Sequence, residues 1–212
     1  MQLTWLGHAS FKIKTKDNFV IYIDPFAGDD SEYLDKADLV LISHEGYHHL
    51  SYEKERLIKT DRTVVLSTRQ VAYEVNGTPI AEGEVKQVGS ARVKAVPAYS
   101  TKPGVGREKG TSLGFLLHIE GMIIYFADST GLIPEMKDIV CDIALLPVAT
   151  TTTMRPRDAA EAVKLVKPRY AIPMHYGTYG GTIEEAEHFK EIVESETRTK
   201  VDILEPGNAI EL

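Results

Sequence analysis

The chain of 212 residues holds a single cysteine, Cys141. No intrachain disulfide can form, which is the habit of a reducing compartment, and the expected location is cytoplasmic. Cys141 precedes an apolar run and reads as a small core residue rather than a nucleophile. No apolar run approaches 18 residues, so no membrane-spanning helix is expected, and the opening residues do not read as a secretion signal. Basic residues are in short supply, 24 against 31 acidic ones, for a formal net charge of -7. No basic patch marks the chain as a nucleic-acid binder, so nucleic acid is disfavoured as a partner. Low-complexity linkers and fixed-period repeats are also missing. What remains is 43% hydrophobic and 26% charged, the composition of one globular domain over residues 1–212.

The first two-thirds is built of short apolar runs rich in branched residues, the pattern of strands. Residues 4–15 and 18–26 read as two strands with a hairpin turn at Lys16-Asp17. Residues 38–43 and 63–68 read as strands flanking a helix over 48–60. A strand over 91–100 follows, then paired strands over 112–120 and 122–129 joined at Gly121. Between Pro97 and Gly114, glycines 104, 106 and 110 and prolines 97 and 103 mark a surface loop. The last third alternates: strand 141–150, helix 155–168, strand 169–178, helix 182–197 and a closing strand 200–212. Ala159, Ala162, Val163 and Val166 make the apolar stripe of the first helix, and Thr182 with Glu185 makes a capping box for the second. The fold class is α/β, with helices covering the faces of two packed sheets.

Residues 44–48 spell His-Glu-Gly-Tyr-His, the H-E-x-x-H of zinc proteases. That motif works on a helix, where residues four apart share a face. Here a branched apolar run precedes it, and Gly46 would cost about 1 kcal/mol in a helix. His44 therefore belongs at a strand end, in a turn, and Glu45 is not read as a base. Seven histidines occur, at 8, 44, 48, 49, 118, 175 and 188. Three cluster at one strand end, His175 ends another, and Asp128 ends a third. Imidazoles and a carboxylate arriving from several strand ends suit zinc, iron or manganese. His118 and His188 read as structural or exposed.

The segments Trp5-Leu-Gly-His-Ala-Ser-Phe11, "IDPF" (23–26), "ISHEGYHHLS" (42–51), "AVPAYS" (95–100), "FADSTGLIPEM" (126–136) and "AIPMHYGT" (171–178) occur in a telling order. In them the chain resembles the metallo-β-lactamase-fold hydrolases, in the branch of ascorbate-6-phosphate lactonase-like proteins and metal-dependent hydrolases. The resemblance implies an αββα sandwich of two mixed sheets flanked by helices, with a metal site at one rim.

It also exposes departures. The family pattern H-x-H-x-D-H, laid on 44–49, asks for histidine at 46 and aspartate at 48; this chain has Gly46 and His48. Where relatives supply a further histidine, it has Tyr99, Ser100 and, in the following loop, Arg107. The fourth motif reads Ala127-Asp128-Ser129-Thr130 and keeps the bridging carboxylate. Of the first metal pocket only His44 and Asp128 remain. The second would be His48, His49, Asp128 and His175, implying one metal per chain, with zinc, manganese or iron as candidates. The implied function is hydrolysis of a small, anionic lactone, ester or phosphodiester by metal-activated water. Asp128 would orient the water, His44 would serve as acid or base, and Arg107 or Lys109 would face the oxyanion. Arg107 is also placed to fill the vacated first pocket, His8 to support the ligands, and Tyr99 to line the site. The alternative is a metal-free, non-catalytic binding or regulatory protein. Relatives of this kind often form oligomers, and a homo-oligomer is compatible with the sequence.

Overall fold

The computed structural model describes residues 1–102, 104–177 and 180–212. Pro103, counted in the loop reading, and Thr178, the last residue of the strand reading that contains His175, lie outside the described residues. The first sheet begins with β1 (Gln2–Gly7), β2 (Ser10–Lys14), β3 (Val20–Ile23), β4 (Leu39–Ile42), β5 (Val64–Ser67) and β6 (Thr78–Pro79). The second contains β7 (Val85–Val88), β8 (Ala91–Ala98), β9 (Ser112–Ile119), β10 (Met122–Phe126), β11 (Ile143–Pro147), β12 (Tyr170–Met174) and β13 (Lys200–Val201). The last strand, β14 (Ala209–Glu211), returns to the first sheet beside β1. Both sheets are mixed. Antiparallel hairpins form one half of each, and parallel pairs β3–β4–β5–β6 and β10–β11–β12–β13 form the other.

Period-two patterning explains the layers. Leu3, Trp5, Phe11, Ile13, Leu39 and Leu41 meet Phe115, Leu117, Phe126, Leu145 and Ile172 between the sheets. On the outer face of the first sheet, Val40 and Ile42 pack with Ile58 of α1 (Tyr52–Ile58) and Val71 of α2 (Arg69–Glu74). On the outer face of the second, Ala144 and Leu146 pack with Val163 of α3 (Pro156–Val166) and Phe189 of α4 (Ile183–Glu196). β4 is buried on both faces, which is why its sequence is apolar without interruption. Each large side chain so buried contributes about 1.5–3 kcal/mol. The result is the αββα sandwich of the sequence reading.

The helix readings hold in the last third. The stripe Ala159, Ala162, Val163 and Val166 is buried, and Thr182 and Glu185 exchange capping hydrogen bonds at 3.3 and 2.9 Å. Several readings need correction. Residues 4–15 are not one strand: Gly7 and His8 adopt φ of 111° and 49°, and the chain reverses there into β2. The helix over 48–60 begins only after Ser51, whose hydroxyl accepts from the Lys54 N–H, because 44–50 is taken up by turns. α2 and β7 were not foreseen. The loop after Pro97 is shorter than expected, since β8 runs to Ala98 and β9 starts at Ser112. The closing strand is two strands on different sheets, parted by the turn at Pro206-Gly207.

Candidate active site

The polar residues buried deepest cluster at strand ends. His8 follows β1, Asp24 follows β3, Ser43 and His44 follow β4, Asp128 follows β10, and His175 follows β12. Parallel strands in both sheets deliver their carboxyl ends to one rim, the usual place for a site in such sheets. Backbone strain marks four of these six residues. His8, Asp24, Asp128 and His175 have φ of 49°, 44°, 59° and 71°. Each such residue costs of the order of 1–3 kcal/mol, and such strain gathers at functional sites. The turn sends each side chain over the rim rather than onward along the strand.

Asp24 organises the first shell of contacts. It accepts hydrogen bonds from the Ser43 N–H at 2.7 Å, from the Ser43 hydroxyl at 2.6 Å and from His49 Nδ1 at 2.7 Å. The last bond fixes the His49 tautomer, so its Nε2 is left as a lone-pair donor, 3.0 Å from Ser129 Oγ. Ser129 Oγ also lies 3.5 Å from His175 Nε2. The His8 ring stands 4.0 Å from that of His175 and 5.3 Å from that of His49. Donor atoms of His8, His49 and His175 all lie within 4.8 Å of one another.

A second group, His44, His49 and Asp128, is equally close. Three of its atoms are already engaged. His44 Nδ1 bonds Asp128 Oδ2 at 3.2 Å and lies 3.0 Å from the Ser43 hydroxyl, and His49 Nδ1 belongs to Asp24. The other oxygen, Asp128 Oδ1, is buried and makes no hydrogen bond among the described residues. A buried carboxylate oxygen with no hydrogen bond among the described residues, beside imidazoles, fits a divalent cation of the zinc, iron or manganese kind.

Electrostatics agrees. Burial, joined by His49 and His48, holds His8 down to about 3. Burial, with His8 and His49, holds His175 well below the ordinary histidine range. Both are therefore neutral at pH 7, the form in which an imidazole can bind a metal. Burial opposes a charge on His49, but Asp24 and Asp128 outweigh it and raise its proton affinity, so a metal at its Nε2 would compete with a proton. Burial likewise opposes charge on Asp128, yet His44 and His49 prevail and hold the carboxyl low.

The histidines floor a cavity of about 220 Å³. Arg107 forms part of its wall: it donates to the Glu45 carbonyl and lies 4.0 Å from the Glu45 carboxylate. Gly46 is held between this guanidinium and the His44 ring. A Cβ there would sit 2.8 Å from His44 Nε2 and 3.2 Å from the nearer Arg107 nitrogen. His48 also lines the cavity, half-buried with its Nδ1 buried, edge-on to His8, Phe26 and Tyr47 at 5.7, 5.4 and 5.0 Å. Tyr99 and Lys109 do not line the cavity; both bond Glu135, at 2.8 and 2.5 Å. Cys141 is buried, with its thiol pushed up to about 12. His118 lies beside Arg92 and His188 is exposed, both away from the site. Sequence reasoning did not single out Asp24, Ser43 or Ser129, which bond the histidines of the cavity. The signal for Asp24 was available: an ionisable residue closing a buried apolar strand and preceding a proline.

Comparison with known proteins completes the picture. The Beta-lactamase superfamily domain profile matches residues 2–175. A UPF0173 metal-dependent hydrolase of Pelotomaculum thermopropionicum is 35% identical over all of both chains. A metallo hydrolase from the archaeon Ignicoccus hospitalis is 27% identical, with a TM-score of 0.84, over 99% of this chain and 97% of that one. The metallo-beta-lactamase fold protein YhfI of Bacillus subtilis superposes with a TM-score of 0.79 over 99% of each chain, at 10% identity, a likeness of fold alone. The chain belongs to the beta-lactamase superfamily, and within it to the metal-dependent hydrolases.

Proposed function

We propose that the chain hydrolyses a small anionic lactone, ester or phosphodiester with one divalent metal per chain. The seat would be His49 and His175, completed by His8, with Asp128 alongside. His48, which the family pattern put forward as a ligand, would instead line the cavity wall. The observation that carries this reading is the Asp24–His49 bond: it turns one imidazole nitrogen toward His8 and His175 and commits the other to the protein. Three histidine ligands and one open position are the arrangement of a catalytic rather than a structural zinc.

A metal held there would supply a water acidified to near neutrality and an electrophile for the substrate oxygen. Asp128 would orient that water through Oδ1 and accept its proton. His44 would hold Asp128 by its other oxygen and keep it ionised. Arg107 would take the anionic group of the substrate and the charge that develops on its oxygen. Tyr99 and Lys109, through Glu135, would steady the 99–111 loop that carries Arg107. The test is hydrolysis of a panel of lactones, aryl esters and bis-aryl phosphodiesters by protein loaded with zinc, manganese or iron. Activity lost on chelation, restored by metal and reduced at least about a hundredfold in His175→Ala supports the reading. Activity indifferent to chelation refutes it.

A further inference from the structure

β12 carries His175 beyond its carboxyl end. Its amino end, at Tyr170, opens on a second cavity of about 700 Å³. At about 3.3 Å per residue, the five-residue strand sets the two sites roughly 16 Å apart. The volume is that of a small-molecule site. Val163, Pro168 and Tyr170 supply an apolar floor. Lys167, Arg169, Arg198 and Lys200 stand around it, all exposed. Among the described residues none of the four has an ion-pair partner. The one carboxylate on the cavity wall, Glu196, is taken by Lys164 at 2.7 Å.

Helix C-termini attract cations, which accounts for Lys167 at the end of α3 and Arg198 just past α4. It does not account for Arg169 and Lys200. Arg169 immediately precedes β12 and stands over the Tyr170 ring at 5.8 Å, while Lys200 opens β13 opposite Tyr170; the Lys200 N–H donates to the Arg169 carbonyl at 3.0 Å. In a chain of net charge -7, four cations without an ion-pair partner among the described residues gather around one ligand-sized cavity, a local positive field that an anion would enter. Their dispersal at 167, 169, 198 and 200 also explains why the sequence shows no basic run. We propose that this cavity binds a small polyanion, a molecule carrying two or more phosphate or carboxylate groups, with its organic part against Val163, Pro168 and Tyr170. Guanidinium and ammonium groups would meet it in charge-assisted hydrogen bonds.

The probe is inorganic tripolyphosphate, titrated calorimetrically into protein first stripped of metal by a chelator and dialysed, since tripolyphosphate itself sequesters divalent cations, with sodium chloride of matched ionic strength as the blank. Expected are one-to-one binding, weakening with added salt, and a loss of at least about tenfold in an Arg169→Ala, Lys200→Ala double variant. Both side chains are exposed, so the variant should keep the native melting temperature. A His175→Ala protein should still bind, which separates this cavity from the histidine site. No binding, binding unchanged in the double variant, or binding lost in His175→Ala overturns the proposal.

Discussion

Replacing Asp24 by asparagine should cost the protein its metal without costing it its fold. The Asp24 carboxylate accepts three hydrogen bonds, at 2.7, 2.6 and 2.7 Å, in a fully buried position. Asparagine keeps the shape and one oxygen, which can still take the Ser43 N–H. Its amide nitrogen then faces His49 Nδ1–H, donor against donor. The imidazole must move its proton to Nε2, the nitrogen turned toward His8 and His175, and that nitrogen can no longer ligate. Changes to such supporting carboxylates typically lower metal affinity about 10–100-fold, or about 1.4–2.7 kcal/mol. The lost bonds themselves cost about 1–3 kcal/mol of stability, or roughly 2–12 °C in a chain of this size. The assay is competition for zinc against a chromophoric chelator, with circular dichroism to confirm the fold. An Asp24→Asn protein that folds and binds zinc within twofold of the native affinity would refute the reasoning.

Other consequences are equally open to test. In metal-stripped protein, His8 stays neutral down to about 3 while the unfolded chain protonates it near 6.5, so stability is highest above 6.5. It should fall as pH drops from 6.5 toward 3, by up to about 1.4 kcal/mol per pH unit, and denaturant melts of His8→Asn should show a flatter acid limb. Gly46→Ala would press a methyl against His44 and Arg107, and overpacking of this kind costs about 1–3 kcal/mol; an unchanged melting temperature would show that the wall yields. Phe126, fully buried with Phe11 and Phe115 each 6.3 Å away, ties the two sheets together. Phe126→Ala should lower stability by about 3–5 kcal/mol in urea melts, and a loss under 1 kcal/mol would contradict the shared core. Arg107→Ala should weaken binding of an anionic substrate analogue several-fold and leave a neutral one alone, as competition binding would show.

Much of this architecture was legible because each layer leaves its own period. The continuous run of β4 announces a strand buried on both faces, and the Ala159–Val166 stripe announces a helix on a sheet. The Gly7–His8 reversal was not legible, since Thr4–Thr15 reads as one apolar alternation and only the positive φ at two residues breaks it. β14 escaped because strand pattern says nothing of which sheet receives the strand. At the site, ligand-type residues at strand ends pointed to His49, Asp128 and His175. What sequence could not give is direction. How the His8 and His48 rings are aimed depends on backbone torsion and on neighbours such as Phe26 and Tyr47. The part of Asp24 depends on a hydrogen bond to a residue 25 positions away.

The central claim is a single metal in the seat of His8, His49 and His175. It is tested most directly by elemental mass spectrometry of protein saturated with zinc and dialysed, in the native chain and in His175→Ala and His44→Asn variants. The account predicts about one zinc per chain in the native protein, none retained in His175→Ala, and about one in His44→Asn. Two zincs per chain, or a zinc that survives His175→Ala and is lost in His44→Asn, would contradict it.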